Sequence, residues 1–287
     1  MLAVVCALGS SLLYALASVL QQRGAAAQPA DQSLKMGLLV RLAKSPGWLI
    51  GLVCDGGGYV LQFVALGHGP LVIVQPLLVC GLLFALPFGA AWSGHRLSRS
   101  DWLGAVLVCA GLGVFLAVAN PAAGRNNTRP LHWVILLVSV SVVALALVAA
   151  SLGPSARRRA VTLAAAAGVV YGGAAALTKT SSHLLDRGIL PVLTHWQPYV
   201  LVFFGVTGML VAQSAFQAGA LDFSLPTMTV VDPVVSIAIG AFVFHEAISA
   251  RPVPIVIEVV ALIVMSIGVY LLARFEAALA PAPNRKS

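Results

Sequence analysis

Apolar residues in this chain come in long unbroken runs, separated by short polar or charged stretches. Nine runs stand out: 2–20, 47–67, 70–92, 101–120, 131–151, 160–179, 196–219, 224–244 and 253–274. Crossing a bilayer takes about 20 apolar residues, so each run is predicted as a spanning helix. The first run begins Met1-Leu2-Ala3-Val4, without a basic stretch, and is long for the apolar part of a secretory signal. It is therefore read as a helix of the mature protein. Trp48, Trp92, Trp102, Trp133 and Trp196 all fall at predicted helix ends, the level at which indole rings settle in a membrane. The pattern predicts an all-α, polytopic membrane helix bundle of about nine transmembrane helices.

Composition agrees. Of 287 residues, 60% are apolar and only 9% charged, against about 25% charged in a soluble domain, and the mean hydropathy is +0.97. A cytosolic enzyme, a disordered tail and a secreted disulfide scaffold are excluded. The net charge of +8 does not indicate nucleic acid, because the basic residues lie in short groups between apolar runs rather than on one soluble face. Cys6, Cys54, Cys80 and Cys109 sit inside apolar runs with no CxxC spacing and read as small packing residues.

The basic residues divide unevenly between the two sets of loops. Arg23, Lys35, Arg41, Lys44, Arg96, Arg99, Arg157, Arg158, Arg159, Arg274, Arg285 and Lys286 fall on one side, and Arg125, Arg129, Lys179, Arg187 and Arg251 on the other. The richer side is expected to be cytoplasmic. This puts the amino terminus outside and the carboxyl terminus inside, in the plasma (inner) membrane.

The chain also repeats itself at a shift of about 157 residues. Gly9-Ser-Ser-Leu-Leu-Tyr14-Ala-Leu-Ala-Ser18 matches Ala166-Ala-Gly168-Val-Val-Tyr171-Gly-Gly-Ala-Ala175, and Gln75-Pro76 matches Asp232-Pro233. After a two-residue gap, Leu61-Gln62-Phe-Val-Ala65-Leu66 matches Phe216-Gln217-Ala-Gly-Ala220-Leu221, and Gly113-Val-Phe-Leu116 matches Gly268-Val-Tyr-Leu271. The expected organisation is a first repeat of five helices over 1–152, a second of four over 153–274, and a short cytoplasmic tail over 275–287. The odd fifth helix inverts the second repeat, the arrangement from which secondary transporters are built. A small-residue stripe, Ala164, Gly168, Gly172 and Ala176, matched by Ala7, Ser11 and Ala15, is read as close helix packing.

Acids inside membrane spans are costly, so each needs a cavity or a partner. Asp55 and Asp232 fall near the middle of their predicted helices, whereas Glu258 lies about five residues from the outer end of its own, where a carboxylate can reach water. Asp55, Tyr59 and Gln62 share one helix face by their i, i+4, i+7 spacing. Beside them Gly56-Gly57-Gly58 leaves room for a substrate or another backbone. Gln213 and Gln217 form a comparable stripe. Tyr14, Ser18 and Gln21 share a face, as do Tyr171 and Thr178, with Lys179 next to them. Prolines at 76 and 233 free a carbonyl one turn earlier, beside Gln75 and Asp232 respectively. The six histidines, His68, His95, His132, His183, His195 and His245, fall near helix ends.

Two junctions then carry a resemblance. Gly94-His95-Arg96-Leu97-Ser98 before Asp101-Trp102-Leu103-Gly104 is similar to the "GERLS…WLG" junction of the drug/metabolite transporter superfamily, EamA-like group, with His95 in the acid's place. Phe244-His245-Glu246-Ala247-Ile248-Ser249 resembles the second copy, with Glu246 as the acid. Leu61-Gln62-Phe-Val-Ala65-Leu66, Gly69-Pro70, Val74-Gln75-Pro76-Leu77 and Gln21-Gln22-Arg23-Gly24 resemble the NIPA-type magnesium transporter branch, with Gln22 in place of the usual lysine. The resemblance implies transport by alternating access between inverted halves.

The sequence thus gives the expectation of a transporter, not an enzyme, with Asp55 and Asp232 handling a cation or proton. Tyr14, Tyr59, Tyr171, Gln62, Gln75, Gln213, Gln217, Lys179 and Glu258 are the remaining candidate binding residues. No nucleotide-binding loop is present, so coupling is expected from an ion gradient and no cofactor is expected. The expected partners are a small-molecule or ion substrate and membrane lipid, without nucleic acid. Three cargoes fit: a small organic molecule, Mg²⁺ held by Asp55 and Asp232 with most of its waters kept, or a lipid-linked head group anchored by Lys179. A membrane scaffold with no cargo is the fourth reading.

Overall fold

The computed structural model describes residues 1–26, 36–81, 83–84, 99–118, 129–153, 155–218, 221–246 and 252–279. Eleven helices lie within them: α1 (Leu2–Ala26), α2 (Met36–Leu42), α3 (Pro46–His68), α4 (Leu71–Leu78), α5 (Arg99–Val118), α6 (Pro130–Ala150), α7 (Ala156–Asp186), α8 (Ile189–Thr194), α9 (Gln197–Gln217), α10 (Leu221–Phe242) and α11 (Pro252–Leu279). Pro46, Pro130 and Pro198 sit in the first turns of α3, α6 and α9, where a missing N–H costs nothing. Ser155 caps α7 by accepting from the N–H of Arg158.

The protein is a polytopic bundle of membrane helices. Among the described residues five helices are long and apolar enough to cross a bilayer: Leu2–Gln21, Pro46–His68, Pro130–Ala150, Ala156–Asp186 and Gln197–Gln217. Shorter apolar stretches follow at Trp102–Phe115, Thr227–Phe242 and Ile255–Leu271. Eight of the nine expected runs coincide with a long helix. Of the run 70–92, α4 and the turn at Val79–Cys80 are described, and most of the rest lies outside the described residues. The short helices α2 and α8 were not expected, and α11 continues to Leu279, into the expected tail.

α7 is the centre. Its 31 residues give a rod of about 46 Å, against about 30 Å of hydrocarbon. It packs on α6, α9 and α10 and also touches α3, so it is buried on nearly every side. Small residues allow this: a Cβ on Gly168 or Gly172 would lie 2.9 or 2.7 Å from Val231 or Val235 of α10. The stripe is therefore a packing seam. α6 buries only Trp133, Leu136, Val140 and Ala144 and turns Val134, Ile135, Val138, Val142 and Leu145 outward, as a lipid-facing helix does. α1 lies antiparallel against α3, since Gly51 meets Ala17 and Leu20 at one end while Gly69 meets Ala3 at the other. α3 and α7 run the same way, with Tyr59 meeting Thr178 and Gly67 meeting Ser182. α1 and α7 therefore run in opposite directions.

Two tryptophans correct the interfacial expectation. Trp48 and Trp133 are at helix ends but buried in protein. Trp133 is packed edge-on to Trp196 at 5.4 Å and Phe244 at 6.1 Å. Trp102 and Trp196 are exposed, and Trp92 lies outside the described residues.

α5 and α11 meet backbone to backbone. A Cβ on Gly111 would stand 2.7 Å from the Ala261 carbonyl, and one on Gly268 would stand 2.7 Å from the Gly104 carbonyl. Gly111→Ala and Gly268→Ala are each expected to destabilise the bundle by about 1–3 kcal/mol, because rigid backbone must move. Gly113→Ala, with nothing within 4 Å of the new Cβ, is expected to be neutral or slightly stabilising. Unfolding in detergent compares the three; equal losses would contradict the packing.

Candidate functional site

The polar residues of α1 and α3 meet first. Ser10 Oγ donates to the Gly58 carbonyl at 2.7 Å, and the Tyr14 hydroxyl donates to Gln62 Oε1 at 2.5 Å. The glycine run is what lets α1 approach: a Cβ on Gly58 would lie 2.9 Å from the Tyr14 ring, and one on Gly57 would lie 3.1 Å from Leu13. Of the two occupants open to this gap, a neighbouring helix is the one present. Gly56 alone faces open space.

The second half has a similar device. Tyr171 is seated against Gly208 of α9, where a Cβ would come within 2.7 Å of the ring. Asp232, near the middle of α10, accepts from Ser236 Oγ at 3.2 Å. Asp55, near the middle of α3, has Gln21 as its neighbouring amide. Tyr14 and Tyr171 each lie within electrostatic reach of both Asp55 and Asp232.

Two further contacts cross between the halves. Tyr59 and Thr178 share a hydrogen bond of 3.1 Å from α3 to α7, and Gln213 Nε2 donates to Gln21 Oε1 at 2.7 Å from α9 to α1. Gln21 and Gln213 are buried, yet among the described residues Gln21 Nε2 and Gln213 Oε1 have no hydrogen-bond partner. Such orphaned amides are costly in an apolar interior, and Gln21 stands beside Asp55.

The structure therefore gathers Asp55, Asp232, Tyr14, Tyr59, Tyr171, Gln62 and Gln213 into one group, and adds Gln21 to it. Gln217 is buried at the end of α9, and Gln75 is buried on α4 beside Pro76 with its Nε2 unpaired. Glu258 departs from expectation. It is 2% exposed, with Oε1 unpaired. It shares the face of Ala261 and Met265 that packs on Gly111 of α5, and the face of a helix, more than depth along it, decides contact with water. Among the described histidines, His68, His195 and His245 are exposed and His132 and His183 are half-buried; His95 lies outside them. Among the described residues no three His, Cys, Asp or Glu side chains converge as a metal cluster.

Lys179, expected to line the passage, is held by Glu246. The two form an ion pair with both side chains almost wholly buried, and the ammonium lies 5.3 Å from the centre of the Phe244 ring. Glu246 does more than balance charge. Its Oε1 accepts from the Leu71 N–H and its Oε2 from the Val72 N–H, both at 3.1 Å. The next two N–H groups of α4, those of Ile73 and Val74, go to the Pro70 carbonyl, so the first turn of α4 is fully satisfied. A carboxylate also suits the positive end of a helix. Glu246 carried a motif resemblance, but nothing in its spacing linked it to Lys179, 67 residues away.

Comparison with known proteins follows from this geometry. The chain is 32% identical over 276 residues to an uncharacterized protein of Corynebacterium glutamicum, covering 96% of this chain and 95% of that one. The chain belongs to that protein's family. Over 128 residues, 44% of this chain and 37% of the other, it is also 30% identical to an Arabidopsis thaliana protein named "Probable magnesium transporter NIPA9". No family model matches the chain, and no solved structure matches it significantly.

The buried pair yields a stability prediction. Lys179→Met strands the Glu246 carboxylate and is expected to cost about 3 kcal/mol or more. Adding Glu246→Gln to it is expected to recover part of that loss. A double-mutant cycle on unfolding in detergent measures the coupling, and simple additivity of the two variants would contradict the pair.

Proposed function

We propose that this protein is a membrane transporter for a small cation, with magnesium as cargo, and that Asp55 and Asp232 bind it near the middle of the bilayer. The observation that carries the reading is the charge balance. Among the described residues Lys179 is the one buried cation, and Glu246 neutralises it. Among the described residues Asp55 and Asp232 have no basic partner, and they share two tyrosines. Acids kept in a membrane bundle mark ion paths. Two carboxylates with neutral hydroxyls and amides around them suit Mg²⁺, which dehydrates reluctantly and binds through one or two carboxylates and its own waters. The partial likeness to a protein named as a probable magnesium transporter supports the same cargo.

Transport proceeds in this reading by alternating access between inverted halves of the drug/metabolite type. Support comes from the opposed directions of α1 and α7 and from matched packing: α1 meets α3 and α4 as α7 meets α9 and α10, and α3 touches α7 as α9 touches α1. The uneven basic loops support an amino terminus outside, in the plasma membrane. Membrane lipid is the surrounding partner, and an ion gradient supplies the driving force without a cofactor.

A small polar organic cation is the second reading, favoured by the unpaired amide atoms of Gln21 and Gln213. A lipid-linked head group fits less well, since Lys179, its expected phosphate anchor, is already paired.

Purified protein in liposomes holding a magnesium-sensitive dye is expected to take up Mg²⁺. Asp55→Asn and Asp232→Asn are each expected to slow uptake by about tenfold or more, as loss of a group at a metal site does, while His195→Ala on the exposed surface does not. Uptake unchanged in both variants would overturn the assignment. An absence of uptake by the unaltered protein would remove magnesium as cargo.

A further inference from the structure

The ion pair of Lys179 and Glu246 stands at one end of the group just described. α3 and α7 both run toward that end, where Gly67 meets Ser182 and α4 begins beside Gly69. Glu246 follows α10, Lys179 belongs to α7, and both are parts of the second repeat; Leu71 and Val72 belong to the first. One carboxylate therefore ties the second half to the first through two backbone N–H groups, and takes its counter-charge from the second. The opposite end, where α1 finishes and Gly51 meets Gln21, is bridged by the neutral amide pair Gln21 and Gln213.

We propose that Glu246, with Lys179, is an ionic latch that holds this end of the path shut, and that its release opens the Asp55–Asp232 region to that side of the membrane. The inference rests on the transport reading above and goes beyond it by naming the residues that close one gate. The geometry is that of a two-state contact. The carboxylate accepts from three donors, an ammonium and two N–H groups, and it is fully enclosed. Partial loosening would leave charge and helix N–H groups unpaired together, so the contact favours being wholly made or wholly broken. Gly240 fits the carboxylate closely: a Cβ there would lie 2.5 Å from Glu246 Oε2. Phe244 covers the ammonium, and Trp133 packs on Phe244.

The two ends differ in the residues that the repeat pairs with the latch. A shift of 157 residues takes Gln22 to Lys179, and the two junction motifs align His95 with Glu246. His95 lies outside the described residues, and the correspondence is one of sequence alone. Gln22 cannot form an ion pair, so the sequence places the charged pair in the second half only. The Glu246 end is the strongly held one.

Labelling of buried cysteines tests the latch. In protein with Cys6, Cys54, Cys80 and Cys109 replaced by alanine, Ser182→Cys reports on the latch end and Ser214→Cys on the other; both serines are buried. A membrane-impermeant maleimide is applied to either face of proteoliposomes. Glu246→Gln is expected to raise labelling at 182 about tenfold, within the usual range of conformational coupling, from one face only, with 214 unchanged. Gly240→Ala, which crowds the carboxylate without removing its charge, is expected to act in the same direction and serves if Glu246→Gln fails to fold. No rise at 182 in a folded variant would overturn the latch, as would an equal rise at both positions, which signals general loosening. The labelling uses no cargo. A protein that moves no magnesium yet labels as expected retains the latch and loses the transport reading; the reverse result does the opposite.

Discussion

A charge buried among helices in a membrane must be cancelled, hydrogen-bonded or put to use, and this constraint organises the bundle. Asp55, Asp232, Glu246 and Glu258 are the acids that this constraint bears on. Glu246 is cancelled by Lys179 and by the first N–H groups of α4. Asp232 has a serine hydroxyl and Asp55 a neighbouring amide, neither of which removes a negative charge. Glu258 is enclosed beside α5 with one oxygen unpaired. Among the described residues the one buried cation is spent on Glu246, and the cation preference in the proposed function follows from that imbalance.

Close backbone approach serves the same end. α7 can be surrounded by α6, α9 and α10 only because Gly168, Gly172 and Gly173 present no side chain to them. Gly58 and Gly208 seat Tyr14 and Tyr171 against the next helix, within electrostatic reach of both acids. Without a hydrophobic force between helices in lipid, such small-residue contacts and cross-helix hydrogen bonds supply the association. Gly57 and Gly58, which look like free space along the sequence, are therefore filled by α1.

Much of the fold was legible because the length of an apolar run is a local property, and α3, α5, α6, α9, α10 and α11 begin within a few residues of the expected positions. Asp55, Tyr59 and Gln62 were placed on one face by spacing alone. The partnership of Lys179 with Glu246 was not legible, since helix periodicity relates residues on one element and says nothing of which elements meet. Lys179 looked like a free anchor for an anion for that reason. Glu258 looked shallow because depth along a helix can be counted in sequence while the facing neighbour cannot. Trp48 and Trp133 have the expected level but the wrong surroundings for the same reason. Gln21 was seen on the face of Tyr14, yet only the packing of α1 on α9 brings it to Gln213.

In the proposed function Asp55 and Asp232 together make one cation site that owes nothing to Glu246. Equilibrium binding of Mg²⁺ to the purified protein in detergent, followed by calorimetry, is the decisive measurement. One ion per chain is expected, lost when Asp55→Asn and Asp232→Asn are combined and retained in Glu246→Gln. Binding that survives the double substitution, or that disappears with Glu246→Gln alone, would contradict it.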